Sequence, residues 1–316
     1  MALKDDILYE ISSDKFVSGQ EIADRYSVSR NGIWKTVKKL REEGYDIEAV
    51  TNKGYRLKGN INKMSETGIR KCLKGEWSII ILEETDSTNT YASSLALKGV
   101  RENTVVIAES QSGGRGRFNR RFHSPKGNGL YMSILFNPRI EMANAPLITS
   151  FTAVAVSKAI EKLCGKEVNI KWVNDIYMNG KKICGILTEA GFNFEYGTLD
   201  YAVVGIGINV NGDDFPDDIK LIASSVEKEC GVSISRNELC AEILNNIIEI
   251  EDALKTKKYL DIYRKKSNVI GKKVKVSIGN ERFDAYAESI DDNAALVVRT
   301  EDGARTLNSG EVSIKL

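Results

Sequence analysis

Apolar positions recur at helical spacing near the start of the chain and then change to alternation. Leu3, Ile7, Leu8 and Ile11 share one helical face. Ser18, followed three residues later by Glu21, has the form of a capping box, and the helix it opens, GQEIADRYS, buries Ile22, Ala23 and Tyr26. After a short turn, Ser29 can cap a second helix, RNGIWKTVKKLREEG, striped by Ile33, Val37 and Leu40. The following YDIEAVTNKGYRL alternates around Asn52-Lys53-Gly54, which predicts a hairpin. Two short helices joined by a tight turn, then a hairpin, predict a winged helix over residues 1–60.

Residues 59–68, GNINKMSETG, are polar and read as a linker. Beyond them, apolar runs predict strands at 77–82, 103–110 and 129–136, and a buried helix at 145–163. A strand EVNIKWV then leads to a hairpin turning at Asn179-Gly180, followed by KICGILTEA and LDYAVVGIGINV. Long strands joined by hairpin turns imply a mixed, largely antiparallel sheet packed by helices, an α+β domain over residues 65–268. It ends in a helical stretch at 237–267. Residues 269–316 read as five or six short strands, a small SH3-like β-barrel.

Composition narrows the chemistry. The net charge of +1 over 316 residues creates no field over the whole protein, so a nucleic-acid role has to come from a local patch. One such patch is the helix from 29 to 41, with Arg30, Lys35, Lys38, Lys39 and Arg41 and no acid. In a major groove its lysines would meet phosphates and its N-terminal residues base edges, so Ser29, Arg30, Asn31, Trp34, Lys35, Lys38 and Lys39 form the DNA-contacting set. The competing reading is a solvated basic face. Five scattered cysteines without a C-x-x-C pair suggest reduced core thiols in a cytoplasmic protein, and no residue is assigned to a metal. The N-terminal MALKDDILYE lacks an apolar core and no run approaches a membrane span, so neither secretion nor membrane association is expected. With His123 as the sole histidine, enzymatic chemistry would rest on Lys, Arg, Asp and backbone amides.

The densest charge lies in QSGGRGRFNRR, residues 111–121, with four arginines and three glycines. It lacks the G-x-x-x-x-G-K-[ST] phosphate loop. Its glycines free backbone N–H groups and its guanidiniums can grip phosphate or carboxylate in bidentate fashion. Repulsion between such cations costs about 1 kcal/mol per pair at ~4 Å in water. That argues for an anionic ligand, with a loop loose when empty, over a merely structural segment. Ser87, Thr88 and Asn89 precede a helix expected near Tyr91, where they could cap it or bind a neutral polar ligand. Lys171, Asn174, Asp175 and Lys182 are expected on adjacent strands of one hairpin, and Gly205 and Gly207 interrupt a strand, as a close approach would require.

S-T-N, Q-x-G-G-R-G-R, K-W-x-N-D, K-x-x-G-I-L-x-E and G-I-G-I-N-V-N, in this order behind a winged helix, resemble the biotin protein ligases that double as biotin operon repressors. The resemblance spans the chain. It implies that biotin carboxylate attacks the α-phosphate of ATP, with Mg2+, to give biotinyl-5′-AMP. A lysine of biotin carboxyl carrier protein then takes the biotin. It further implies that Ser87, Thr88, Asn89, Gln111, Arg115, Gly116, Arg117 and Lys182 bind biotin. Arg117, Lys171, Asn174, Gly205, Gly207 and Asn209 would line the nucleotide side, with residues 212–225 folding over adenine. Arg117, Lys182 and Asp175 would be catalytic, Asp175 orienting or deprotonating the incoming lysine. A homodimer promoted by the adenylate would bind operator DNA.

The chain departs from the family pattern twice. Phe118-Asn119 replaces a cation and a glycine in the loop, with Asn119 able to take left-handed angles. Val173 replaces a proline and is expected to be mild within a strand. Trp77 and Trp172 are expected in the core. Two rival functions are a biotin sensor without catalysis and a lipoate-type ligase; intact Lys182 and G-R-G-R oppose the first, and the loop with the small C-terminal domain opposes the second.

Overall fold

Helix signals in the first sixty residues lead to three helices and a two-stranded wing. A computed structural model describes residues 3–11, 15–42, 45, 47–57, 63–137, 140–141, 144–193 and 195–314. The chain divides into two units, Met1–Thr67 and Gly68–Leu316. In the first, α1 (Leu3–Glu10), α2 (Gly19–Arg25) and α3 (Arg30–Glu42) precede β1 (Ile47–Val50) and β2 (Gly54–Leu57). Ser18 Oγ accepts from Glu21 N at 3.0 Å and Ser29 Oγ from Gly32 N at 3.1 Å, so both serines cap as their positions predict. Ile7, Ile11, Ile22, Ile33, Val37 and Leu40 form the core, with Tyr26 partly buried against it. Asn52 and Gly54 turn the wing at positive φ. A Cβ on Gly54 would lie 2.1 Å from Val17 O, so only glycine allows that contact.

Part of the polar linker lies outside the described residues, and its end is helical: α4 spans Glu66–Arg70 and buries Ile69. The second unit is built on a seven-stranded sheet. Its strands are β3 (Ser78–Thr85), β4 (Thr104–Gln111), β5 (Gly129–Phe136), β6 (Asn169–Lys171), β7 (Asp175–Met178), β8 (Lys181–Asn193) and β9 (Thr198–Asn209). The spatial order is β3-β4-β5-β9-β8-β7-β6. β3 and β4 are parallel, joined through α5 (Thr88–Leu97), and every other pair is antiparallel. Central β5 is buried at all eight positions, so both sheet faces are covered there. Trp77 and Trp172 are core residues, at 5% and 4% exposure.

Helix α6 (Ala145–Cys164) packs against β6, β7 and β8 and is bounded by left-handed Gly165. The later helical stretch is three helices, α8 (Arg236–Ile247), α9 (Ile250–Thr256) and α10 (Tyr259–Lys266), preceded by short α7 (Val226–Cys230). Lys257 at φ 55 ends α9 and separates it from α10. The last five strands, β10 (Lys273–Ile278), β11 (Glu281–Ile290), β12 (Leu296–Thr300), β13 (Gly303–Leu307) and β14 (Glu311–Ile314), form an antiparallel sheet ordered β13-β12-β11-β10-β14.

One expected strand is broken. Residues 172–174 turn between β6 and β7, which pair antiparallel. Trp172 causes the break by leaving the ladder for the core, where its Nε1 donates to Ala294 O at 2.9 Å. Lys171, Asp175 and Lys182 therefore lie on three neighbouring strands, not on two, and Val173 sits in a turn, not a strand.

Candidate active site

The loop after β3 supplies the neutral end of the site. Helix α5 begins at Thr88, earlier than expected, because Ser87 takes the N-cap position. The Ser87 hydroxyl makes no capping bond; Asp86 Oδ1 instead accepts from Ser87 N at 2.6 Å. Ser87 therefore keeps its hydroxyl for the cavity that it lines with Thr88, Asn89 and Gln111. Thr88 N donates to Gln111 Oε1 at 2.9 Å, and Gln111 Nε2 to Ser124 Oγ at 2.9 Å.

The basic loop is compensated residue by residue, which corrects the picture of arginines facing only one another. Arg115 pairs with Glu189 at 3.2 Å. Arg117 donates to Asn174 Oδ1 at 3.2 Å and to Gly310 O at 3.1 Å. Arg120 grips both oxygens of Glu311, one at 2.7 Å. Arg121 donates to Ser112 O at 3.4 Å. Asn119 adopts φ 56, as its type allows, but so does Phe118, at a cost of about 1–2 kcal/mol for an L-residue. Phe118 is 61% exposed, and the Arg117 guanidinium sits 5.0 Å from its ring centroid.

The cationic end converges from the sheet. Lys182 Nζ on β8 lies 2.7 Å from Asp175 Oδ1 on β7. Asp175 Oδ1 is buried, held there by this ion pair. Lys171 pairs with Asp175 across the β6–β7 ladder. Burial pushes the Lys171 ammonium below the ordinary lysine value, partly offset by Asp175 and Glu311. Burial likewise lowers Arg117, against Asp175 and Glu311. Such desolvated cations gain most when an anion enters.

These two ends bound one cavity of about 230 Å³, lined also by Gly116, Gly205, Gly207 and Asn209. A Cβ at Gly205 would meet Asn89 Oδ1 at 2.2 Å, and one at Gly207 would meet the Phe122 ring at 2.6 Å. Both strand glycines thus make room first for protein side chains. Asn209 spends its amide on Ser224 O at 3.1 Å. The 212–225 segment is pinned to β8 by Lys182 N to Ile222 O at 2.8 Å and Ser224 N to Lys182 O at 3.0 Å. It places Phe215, Ile219, Ile222 and Ala223 on the cavity wall.

Sequence reasoning missed Glu189, Ser133, Ser124 and Glu311. Glu189 stood inside a quoted motif but carried no role; Glu311 is 191 residues from its partner Arg120, and no local pattern links them. His123 lines the cavity but carries no assigned chemistry. In the first unit, Ser29, Arg30, Asn31, Lys35, Lys38 and Lys39 are exposed along one end and face of α3, with Trp34 53% exposed and Lys38 Nζ 5.8 Å from its ring.

Among known proteins, residues 81–209 match the biotin/lipoate A/B protein ligase family, residues 4–56 an HTH domain, and residues 269–315 the biotin protein ligase C-terminal domain. The chain is 37% identical to the bifunctional ligase/repressor BirA of Bacillus subtilis, covering 97% of this chain and 96% of that one. It is 28% identical to the Escherichia coli bifunctional ligase/repressor BirA, covering 96% and 95%. The biotin protein ligase from Aquifex aeolicus in complex with biotin and ATP shares 30% identity at a TM-score of 0.64, over 75% of this chain and 98% of that one. An N-terminal winged helix, an arginine-rich loop beside a mixed sheet, and relatives matched along nearly their whole length agree. The chain belongs to the biotin protein ligase family, in its bifunctional ligase/repressor branch.

Proposed function

We propose that this protein makes biotinyl-5′-AMP from biotin and ATP, transfers the biotin to a lysine of biotin carboxyl carrier protein, and represses biotin genes with the adenylate as corepressor. The observation that carries the catalytic reading is a single cavity with hydroxyl and amide groups at one end and Arg117, Lys171 and Lys182 at the other. Ser87, Thr88, Asn89 and Gln111 suit the polar ring of biotin, while Arg115, Gly116, Arg117 and Lys182 suit its carboxylate. Lys171, Asn174, Gly205, Gly207 and Asn209 suit the nucleotide, with Phe215 and Ile222 of the 212–225 segment over its base.

A carboxylate oxygen forms a bond to the α-phosphorus, and the bond to pyrophosphate breaks with its electron pair. Two anions have to meet, so fixed cations lower the barrier by offsetting charge that grows on the phosphoryl oxygens. In the second step a neutral lysine amine attacks the acyl carbon, an amide forms, and AMP leaves. Asp175, a partly buried carboxylate on the cavity wall held 2.7 Å from the Lys182 ammonium, is suited to orient that amine or take its proton. Magnesium would be carried by the ATP phosphates, and Asp175 on the cavity wall is a carboxylate that could help to hold it.

Residues 1–60, 65–268 and 269–316 would serve as DNA-binding, catalytic and C-terminal domains, and adenylate would promote a homodimer that binds operator. Free cysteines fit a reducing, cytoplasmic setting, and among the described residues no helix is long and apolar enough to cross a membrane. Pyrophosphate release with and without biotin tests the reading. Wild type should release it only with biotin and retain biotinyl-5′-AMP by mass spectrometry. Arg117→Gly should lose adenylate retention more than adenylate formation. Biotin binding without biotin-dependent release would leave only a biotin-sensing repressor.

A further inference from the structure

One hydrogen-bonded chain runs along the cavity wall from Arg115 to Phe122. Arg115 lies 3.2 Å from Glu189 Oε1, and Glu189 Oε2 accepts from Asn89 Nδ2 at 2.8 Å. Ser133 Oγ lies 2.6 Å from Asn89 Oδ1 and 2.7 Å from Thr88 Oγ1. Thr88 Oγ1 lies 3.1 Å from Gln111 Oε1, and Gln111 leads through Ser124 back to Phe122 O.

The protons in this chain can be counted. An ionised carboxylate only accepts, so Glu189 turns the Asn89 amide with Nδ2 toward itself. The other Nδ2 proton goes to Leu187 O at 3.3 Å. Asn89 Oδ1, an acceptor, is left facing Ser133, which has to donate to it. Ser133 has one hydroxyl proton, so the 2.7 Å contact with Thr88 is filled by the Thr88 proton. Two hydroxyl protons thus fill the two shortest of three contacts. Gln111 Oε1 does not need the Thr88 hydroxyl, because it already receives Thr88 N–H at 2.9 Å. The charge of Glu189 is transmitted as a direction through three side chains. At the cavity wall, Thr88 Oγ1 and Asn89 Oδ1 have lone pairs to offer and no proton.

We propose that Glu189 is a positioning residue that sets this direction, so that the Thr88–Asn89 wall accepts N–H groups from the ligand. Within the ligase reading, on which the proposal rests, those are the nitrogens of biotin's cyclic urea. An acid whose ring lacks N–H, such as lipoate, gains nothing from the wall. Glu189 is not itself a wall residue of the cavity, so it selects the ligand without touching it.

The test uses the full chain, with biotin and a biotin methylated on both ureido nitrogens, by calorimetry and by steady-state pyrophosphate release. Glu189→Met removes the acceptor. It should weaken biotin binding tenfold or more, about 1.4 kcal/mol, leave the methylated analogue unchanged, and raise the biotin KM with kcat within threefold. Glu189→Gln keeps an acceptor but breaks the charge pair with Arg115, and should restore biotin affinity to within threefold of wild type. Ser133→Ala cuts the same chain one step further on and should reproduce the KM rise; it decides the matter alone if Glu189→Met has no cooperative melt. The proposal is overturned if Glu189→Met binds biotin like wild type, if both ligands weaken equally, or if Gln performs no better than Met. A wild type that binds no biotin would overturn the ligase reading itself, and this proposal with it.

Discussion

Gly205 shows how one missing methyl group shapes the site. Asn89 Oδ1 occupies the space where a Cβ would sit, 2.2 Å away. Gly205→Ala should therefore displace the Asn89 amide, costing about 1–3 kcal/mol of stability and weakening biotin binding by an order of magnitude or more; thermal melts and calorimetry read the two effects separately. The sequence signalled that some close approach was needed at Gly205 and Gly207, since glycine weakens a strand. It could not say that Asn89 and Phe122 make the approach, because those contacts close only when the sheet forms. Lys171 carries a second prediction. Burial lowers its ammonium below the ordinary lysine value, so its proton is lost earlier as pH rises. The alkaline limb of pyrophosphate release should fall below the usual lysine range, and Lys171→Arg should move it upward, as a pH profile of kcat/KM would show.

At the scale of elements, the basic loop is held by a strand from the far end of the chain. Glu311 opens β14 and meets Arg120, while Gly310 O before it accepts from Arg117. Hydrogen bonding to Arg120, followed by the charges of Arg120, Lys171 and Arg117, holds the Glu311 carboxyl below the ordinary glutamate value. A carboxyl depressed on folding contributes its stability fully above the ordinary glutamate pKa and loses it as pH falls through the depressed value. Arg120 is 65% exposed, so screening limits the contribution to about 0.5 kcal/mol. Glu311→Gln should lower the urea midpoint slightly at neutral pH, and the gap from wild type should close on acidification. It should also shorten adenylate retention. The helices, the hairpins and β5 were legible because periodicity and turn residues are local signals. The break at Trp172 and the buried Arg236–Glu109 pair, 2.9 Å apart, were not, because their partners come from remote strands and helices.

For the whole molecule, the prediction concerns coupling between two units that do different chemistry. On α3 Trp34, Asn31 and Lys35 are exposed, and in the proposed complex the first two would read bases and Lys35 would meet phosphate. Each phosphate contact contributes a slope of about −0.9 in log K against log salt. Lys35→Ala should therefore weaken operator and random DNA alike and reduce the salt slope by about one contact. Trp34→Ala or Asn31→Ala should weaken operator more than random DNA and leave the slope nearly unchanged. None of the three should change biotin-dependent pyrophosphate release, since α3 belongs to the first unit and the cavity to the second. Adenylate should tighten operator binding in wild type, and in Lys35→Ala by the same factor, because the mutation acts on DNA contact and not on dimer formation. Titration of labelled operator with and without biotin and ATP measures that factor. A factor of one in wild type, with adenylate retained, would leave the ligase intact and refute the corepressor switch. A normal factor in wild type that vanished in Lys35→Ala would mean that the recognition helix takes part in the coupling as well as in DNA contact.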